Sequence, residues 1–298
     1  MARLLGPTDI RLLAERLGVT PSKRWGQNFV VDAGTVRRVV RIAGVGPGDH
    51  VVEVGPGLGS LTLALLESGA TVTAVEIDRA LARALRETVA DRAPEDVERL
   101  VVITNDALVV GPAEVAAEVV AEPTSLVANL PYNVSVPVIL HALEAFPSVR
   151  RALVMVQAEV ADRIVAPPGS RTYGIPSAKV AWYASARRAG DVGRSAFWPV
   201  PRVDSALVLL ERRDVPSTTV ARAQVFRVID AAFAQRRKGL RGALAELAGG
   251  ASVAEAALRS IGLDPLTRGE TLGISEFVRL TEALWPFPGS SSSGTVEP

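Results

Sequence analysis

The chain has 298 residues, long enough for one large core and a smaller second domain. It contains no cysteine, which excludes disulfides, cysteine-ligated clusters and a cysteine nucleophile. Lysine and arginine total 33 against 32 acidic residues, so net charge is +1 and bulk charge alone does not mark a polyanion binder. His50 and His141 are the only imidazoles, lie far apart in sequence and show no metal-site spacing, so no metal is expected. No apolar stretch approaches the length of a spanning helix, and residues 1–8 lack a secretory pattern, from which a cytoplasmic location is expected.

Thr8 reads as the N-cap of a helix carrying Ile10, Leu13 and Leu17 on one face and stopped at Gly18. A loop over residues 21–32 follows, carrying Gln27, Asn28 and Phe29. From about Val36 to Arg212 strands and helices alternate. Val51-Val52-Glu53-Val54 is a short apolar strand that runs into Gly55-Pro56-Gly57-Leu58-Gly59 and then the helical pattern Leu61, Leu63, Leu65, Leu66. Strand, glycine loop and helix form the opening unit of a nucleotide-binding sheet, where glycines let the backbone approach a ligand.

A second strand, from Thr71 to Val75, ends in Glu76, an acid at the distance from the loop that suits both ribose hydroxyls. A third, from Leu100 to Ile103, ends near Asp106, placed to accept from the amine of an adenine ring. The fourth, Leu126-Val127-Ala128, runs into Asn129-Leu130-Pro131-Tyr132-Asn133, and Ala152 to Val156 and Ala206 to Leu210 supply two more. After Asp214 only helical spacing remains, in Val225, Phe226, Ile229, Ala232 and Phe233, then Val253 to Leu258 and Phe277 to Leu284. The expected organisation is an N-terminal helix and covering loop over 1–35, a Rossmann-like domain over 36–213, a helical domain over 214–288 and a disordered tail over 289–298.

Asn129-Leu130-Pro131-Tyr132 concentrates unusual chemistry at one strand end. Pro131 restricts Leu130 to an extended conformation, which aims the Leu130 carbonyl. That carbonyl and the Asn129 side-chain oxygen are two neighbouring acceptors for an exocyclic amine such as that of adenine, and Tyr132 can stack on the base. An amide accepts a hydrogen bond but is too weak a base to take the proton. In isolation the tetrapeptide reads equally well as a turn, since Asn and Pro are turn formers. The upstream loop and two acids favour the functional reading. A dinucleotide-binding protein shows the same glycines and ribose acid. Glu53, just before the loop, suits the amino-acid and sulfonium end of S-adenosylmethionine better than a pyrophosphate; its bland alternative is a surface salt bridge.

The segments Lys23-Arg24-Trp25-Gly26-Gln27-Asn28-Phe29, Glu53-Val54-Gly55-Pro56-Gly57, Asn129-Leu130-Pro131-Tyr132-Asn133, Gln157-Ala158-Glu159-Val160-Ala161 and Phe197-Trp198-Pro199-Val200-Pro201-Arg202-Val203-Asp204-Ser205-Ala206 resemble the bacterial dimethyladenosine transferases of the KsgA type. The likeness extends to Gln235-Arg236-Arg237-Lys238 and covers nearly the whole chain. It implies an α/β fold: a Rossmann-like class I S-adenosylmethionine-dependent methyltransferase sheet with a smaller C-terminal helical domain. It also implies N6,N6-dimethylation of two adjacent adenosines near the 3′ end of 16S rRNA in the small ribosomal subunit, contributing to ribosome biogenesis; a monomer without metal or membrane partner is expected.

Carried over residue by residue, the resemblance assigns Asn28 and Val30 to covering the cofactor, Gly55 to its amino-acid end, Glu76 to its ribose and Asp106 to its adenine. It puts Asn129, Leu130, Pro131 and Tyr132 at the reaction centre, Asn129 also beside the cofactor, with Phe197 as a second stacking wall opposite Tyr132. Two departures bear on substrate fit rather than chemistry: Trp25, where Phe or a smaller aromatic is expected, and Trp198, where a small polar residue is usual.

Other readings remain open. A 23S rRNA adenine N6-methylase of the macrolide-resistance type shares fold and chemistry, although Leu130 in place of Ile and the match at Arg236 favour the small subunit. A dehydrogenase leaves Asn129-Leu130-Pro131-Tyr132 unexplained. The third alternative is a ribosome assembly factor with secondary methylation. Positive charge gathers at Lys23-Arg24, at Arg150-Arg151, at Arg187-Arg188 with Arg194, and at Arg236-Arg237-Lys238 with Arg241. Any one cluster is ordinarily a solvated face, but four on a protein read as acting on a nucleobase suggest phosphate contacts. On a continuous helix Arg237 and Arg241 would share a face one turn apart.

Overall fold

A computed structural model describes residues 3–19, 28–119, 121–235 and 237–287. The expected disordered tail, Lys23-Arg24, Trp25 and Arg236 lie outside the described residues. The chain divides into two compact units, Met1–Val165 with Ala184–Arg213, and Ala166–Tyr183 with Asp214–Pro298.

The first unit contains β1 (Phe29–Val30), β2 (His50–Val54), β3 (Thr71–Glu76), β4 (Leu100–Thr104), β5 (Ser125–Asn129), β6 (Arg151–Gln157), β7 (Ala184–Val192), β8 (Phe197–Trp198) and β9 (Ser205–Arg212). Seven of them form one sheet in the order β4-β3-β2-β5-β6-β9-β7, and β1 and β8 make a separate antiparallel ribbon. Strands β2 to β6 are parallel, while β9 runs antiparallel to both β6 and β7. Every residue of β2 is buried, as expected for a strand with helices on both faces of its sheet.

The helix Ala33–Ala43 starts at Asp32, whose carboxylate accepts from the Thr35 N–H at 2.6 Å, and ends at Gly44 in the left-handed region. It buries Val36, Val39, Val40 and Ala43. Pairing of β2 with β3 continues to Val54–Val75, whereas β2 pairs with β5 only at Val51–Ser125 and Val52–Leu126. These two strands therefore part toward their C-terminal ends. That is the topological switch point, where open α/β sheets bind ligands.

Two local expectations change. The first helix, Pro7–Arg16, is capped at Gly6 rather than Thr8, and the Asp9 carboxylate accepts from the Gly6 N–H at 2.9 Å. Pro7 causes this, because its fixed φ and missing N–H suit the first helical position. Strand β7 was not expected at all. It carries Arg187 and Arg188, is fully buried only at its end residues Ala184 and Val192, and breaks register between Arg188 and Gly190, so it shows no apolar alternation.

The second unit holds the helices Ile175–Val180, Arg222–Ala234, Leu240–Ala243, Ala245–Ala248, Ala251–Ser260 and Ile274–Leu284, with no strand among the described residues. Its core includes Val225, Val228, Ile229, Leu240, Leu258 and Phe277. Residues 166–183 belong here and not, as expected, to the Rossmann-like part. The Tyr173 hydroxyl donates to the Leu272 carbonyl at 2.8 Å, and Trp182 and Tyr183 both meet the Phe226 ring edge-on at 6.3 Å. The helix that carries Phe233 stops at Ala234, so Arg237 and Arg241 do not share one helix. Arg241 pairs with Glu255 at 3.0 Å.

Candidate active site

The C-terminal ends of β2, β3, β4 and β5 open onto a cavity of about 450 Å³. Its floor is the glycine loop, where Gly55, Gly57 and Gly59 all have positive φ (67°, 57° and 94°), conformations that favour glycine. A Cβ on Gly57 would stand 2.9 Å from the Phe29 ring, so bare backbone is required there for packing as well as for φ. The Gly55 N–H donates to the Val75 carbonyl at 2.9 Å, which ties the loop to β3.

Glu76 ends β3 and lines the cavity. One carboxylate oxygen accepts from the Gly57 N–H and the other from the Asp78 N–H, each at 3.1 Å. Burial pushes its pKa above the usual carboxylate range, against those two backbone donors. Asp106, beyond β4, also lines the cavity and accepts from the Leu108 N–H at 2.9 Å. Asn28 and Val30 border it from the β1 side, where the Val30 carbonyl accepts from the Ser60 hydroxyl at 2.6 Å.

Glu53 is not a surface salt bridge. It is 1% exposed, accepts from the Thr62 hydroxyl at 2.6 Å, and lies at the cavity wall. Burial pushes its carboxyl up to about 8, against the Thr62 hydrogen bond, and nearby Glu76 adds to the rise. Because the folded-state pKa is raised, the stability Glu53 contributes is full below its unfolded value of 4.5 and is lost as pH climbs through about 8. Glu53→Gln should therefore flatten the fall of the thermal midpoint between pH 5 and pH 9. Melting curves at both pH values test this, and a fall as steep as in the unsubstituted protein would show that ionising Glu53 is not costly.

At the end of β5 the Asn129 amide donates through Nδ2 to the Asn28 carbonyl at 3.0 Å. Its donor end is thus engaged, and Oδ1 is the end left to accept from a ligand. The Leu130 N–H donates to the Met155 carbonyl at 3.1 Å, fixing the backbone just ahead of Pro131. Leu130, Pro131 and Tyr132 line the cavity with Asn129.

Phe197 does not join them. It is 2% exposed, sits in the main core cluster and is not among the residues lining the cavity, so the expected second stacking wall is corrected to a core residue. Pairing of Phe197 with Val30 in the β1–β8 ribbon holds it there. Its neighbour Trp198 stacks on Phe29, with ring centroids 6.3 Å apart and planes 24° apart, and so backs the ring that closes over Gly57.

Sequence reasoning missed Ile77, which is 51% exposed at the cavity directly after Glu76. A large apolar residue left exposed beside a buried acid suits a flat apolar ligand face. Among the described residues no group of three His, Cys, Asp or Glu is placed to hold a metal ion. Both histidines engage the backbone: His50 Nδ1 is 2.6 Å from the Ala121 carbonyl, and His141 Nε2 is 2.8 Å from the Val110 carbonyl. The basic clusters are partly neutralised, since Arg188 pairs with Asp162 and Asp191, Arg151 with Glu211 and Arg194 with Asp204.

A family model for ribosomal RNA adenine dimethylase matches residues 19–284. The chain belongs to the ribosomal RNA adenine dimethylase family. A ribosomal RNA small subunit methyltransferase A from Thermobifida fusca is 62% identical over 94% of this chain and 96% of that protein. One from Cutibacterium acnes is 55% identical over 98% of each. Among solved structures, a Plasmodium falciparum dimethyladenosine transferase shares the fold, with a TM-score of 0.71 at 22% identity over 85% of this chain and 95% of that one. The 23S rRNA methyltransferase ErmE aligns with a TM-score of 0.59 at 28% identity over 86% and 99%. This adenine dimethylase is thus a methyltransferase enzyme on a Rossmann-like sheet, as the motifs implied, and the dehydrogenase reading falls away.

Proposed function

We propose that this family member uses S-adenosylmethionine to dimethylate N6 of two adjacent adenosines near the 3′ end of 16S rRNA in the small ribosomal subunit, acting as a cytoplasmic monomer. The observation that carries the reading is the committed Asn129 amide, whose donor end is held by Asn28 and whose acceptor end remains for the target amine. The residues fit the cofactor. Gly57 brings bare backbone to the cavity wall in a positive-φ conformation, Glu76 and Asp106 supply acids at successive strand ends, and Ile77 offers an apolar face. When bound, the cofactor supplies an electrophilic methyl on a good leaving group.

The chain's own part is positioning. In the first transfer Asn129 Oδ1 and the Leu130 carbonyl accept the two amine hydrogens and localise the nitrogen lone pair, in the second one acceptor holds the single hydrogen that remains, and Tyr132 stacks on the base. Holding the reactants in line supplies most of the acceleration. The proton leaves to water once methylation has made it acidic, so no general base is required. A base in a duplex must flip out to reach such a pocket. The 62% identity to a small-subunit enzyme, against 28% to ErmE, supports the small-subunit substrate over the large-subunit alternative.

Glu76→Ala should weaken S-adenosylmethionine by roughly 1.5–3 kcal/mol, the range for hydrogen bonds to a charged group, with RNA binding little changed. Because Ala also strips the acceptors of the Gly57 and Asp78 N–H groups, Glu76→Gln, which keeps one acceptor oxygen, should lose less. Calorimetry reads both, and unchanged cofactor affinity in Glu76→Ala would remove Glu76 from the ribose. Mass spectrometric mapping of dimethyladenosine in rRNA from cells with and without the chain tests the substrate. Loss in 23S rather than 16S rRNA would return the macrolide-resistance reading, and comparing isolated rRNA with assembled subunits separates enzyme from assembly factor.

A further inference from the structure

We infer that Ser205 is a positioning residue for Tyr132, its hydroxyl anchoring the phenol so that the ring keeps one plane at the acceptor side of the cavity. The inference rests on the proposed role of Tyr132 as the stacking face for the target base. Tyr132 Oη and Ser205 Oγ lie 3.0 Å apart, although the residues are separated by 73 positions in sequence.

The two partners differ in how firmly they are held. Ser205 is 1% exposed and opens β9, in register with Gln157 of β6 on one side and Val192 of β7 on the other. The Ala158 N–H donates to the carbonyl of the preceding Asp204 at 2.9 Å. Tyr132 belongs to a turn between β5 and the helix Ser135–Ala145 and is only half-buried. Backbone geometry fixes the Cβ of such a residue, but the outer torsion of an aromatic side chain is broad. A second attachment at the far end of the ring removes that freedom. Burial raises the phenol's pKa despite the hydrogen bond shared with Ser205, so the hydroxyl stays protonated and the contact persists across the neutral range. A stacking platform gains from a fixed plane because methyl transfer needs the amine lone pair in line with the donor.

The test is a double-variant cycle at saturating small-subunit RNA with S-adenosylmethionine titrated. Ser205→Ala and Tyr132→Phe should each lower kcat about tenfold, the scale of one neutral hydrogen bond, while leaving the KM for S-adenosylmethionine in place. The double variant should be no slower than either single, since both remove the same contact. A purely structural role for Ser205 would lower the thermal midpoint without this kinetic coupling. Normal kcat in Tyr132→Phe, or losses that multiply in the double variant, would overturn the inference. Tyr132→Phe keeps the ring and answers the question even where Ser205→Ala fails to fold. Tyr132→Ala tests the underlying reading separately. Collapse there beside a normal Tyr132→Phe removes only Ser205, whereas normal turnover in Tyr132→Ala removes the stacking role itself.

Discussion

Asn129→Ala is expected to lower methyl transfer by roughly a hundredfold or more, the scale on which misplacement of a reacting group reduces rate, while S-adenosylmethionine affinity stays close to normal. The substitution deletes an acceptor at the end of β5 and leaves Glu76 and Asp106 untouched on β3 and beyond β4. It also removes the hydrogen bond from the Asn129 amide to the Asn28 carbonyl. Asn129→Asp separates the two losses. A carboxylate keeps an acceptor oxygen but cannot donate to Asn28, and two acceptors then face each other. Its turnover should fall between that of the unsubstituted enzyme and that of Asn129→Ala. Single-turnover kinetics with calorimetry of the cofactor measure both quantities, and normal turnover in Asn129→Ala would end the proposed mechanism.

Phe197→Ala should destabilise the first unit by about 3–5 kcal/mol, the usual cost of emptying a buried phenylalanine site, because Phe197 is 2% exposed within the core cluster. Below its lowered melting temperature, the folded enzyme should turn over at a rate near normal and give the usual product mixture. A stacking wall predicts the opposite. It would leave the melting temperature in place, weaken base binding by on the order of 1–3 kcal/mol, and shift product toward the monomethyl form. Thermal melts and product analysis on one preparation decide between the two.

Much of the candidate site's cavity lining was legible because it is written at strand ends in consecutive order. Glycine loop, Glu76, Asp106 and Asn129 follow four apolar runs, and parallel pairing gathers those ends on one edge of the sheet. What escaped reading depends on contacts between distant segments. Strand β7 is polar, fully buried only at its ends and bulged, so nothing in its own pattern marks it; its partner β9 defines it. Residues 166–183 interrupt the Rossmann-like part in sequence but pack on Phe226 and Leu272, a relation no local periodicity carries. Phe197 was misplaced because a motif gives the identity of a residue and its neighbours in sequence. The side to which its ring turns is set by the pairing of β8 with β1. Ser205 lies in the same motif, and its contact with the Tyr132 hydroxyl joins segments 73 positions apart.

The parting of β2 from β5 beyond Val52 and Leu126 divides the pocket's residues by side. Gly55, Glu76 and Asp106 come from the β2, β3 and β4 side, and Asn129 to Tyr132 from the β5 side. Random variants selected for loss of activity should accordingly sort into two phenotypes along that seam. One group would be rescued by raising cofactor concentration. The other would stay inactive at any concentration. The same seam marks where a chimaera could exchange the turn after β5 for one that receives a different nucleophile, with the residues proposed to hold the cofactor carried over unaltered.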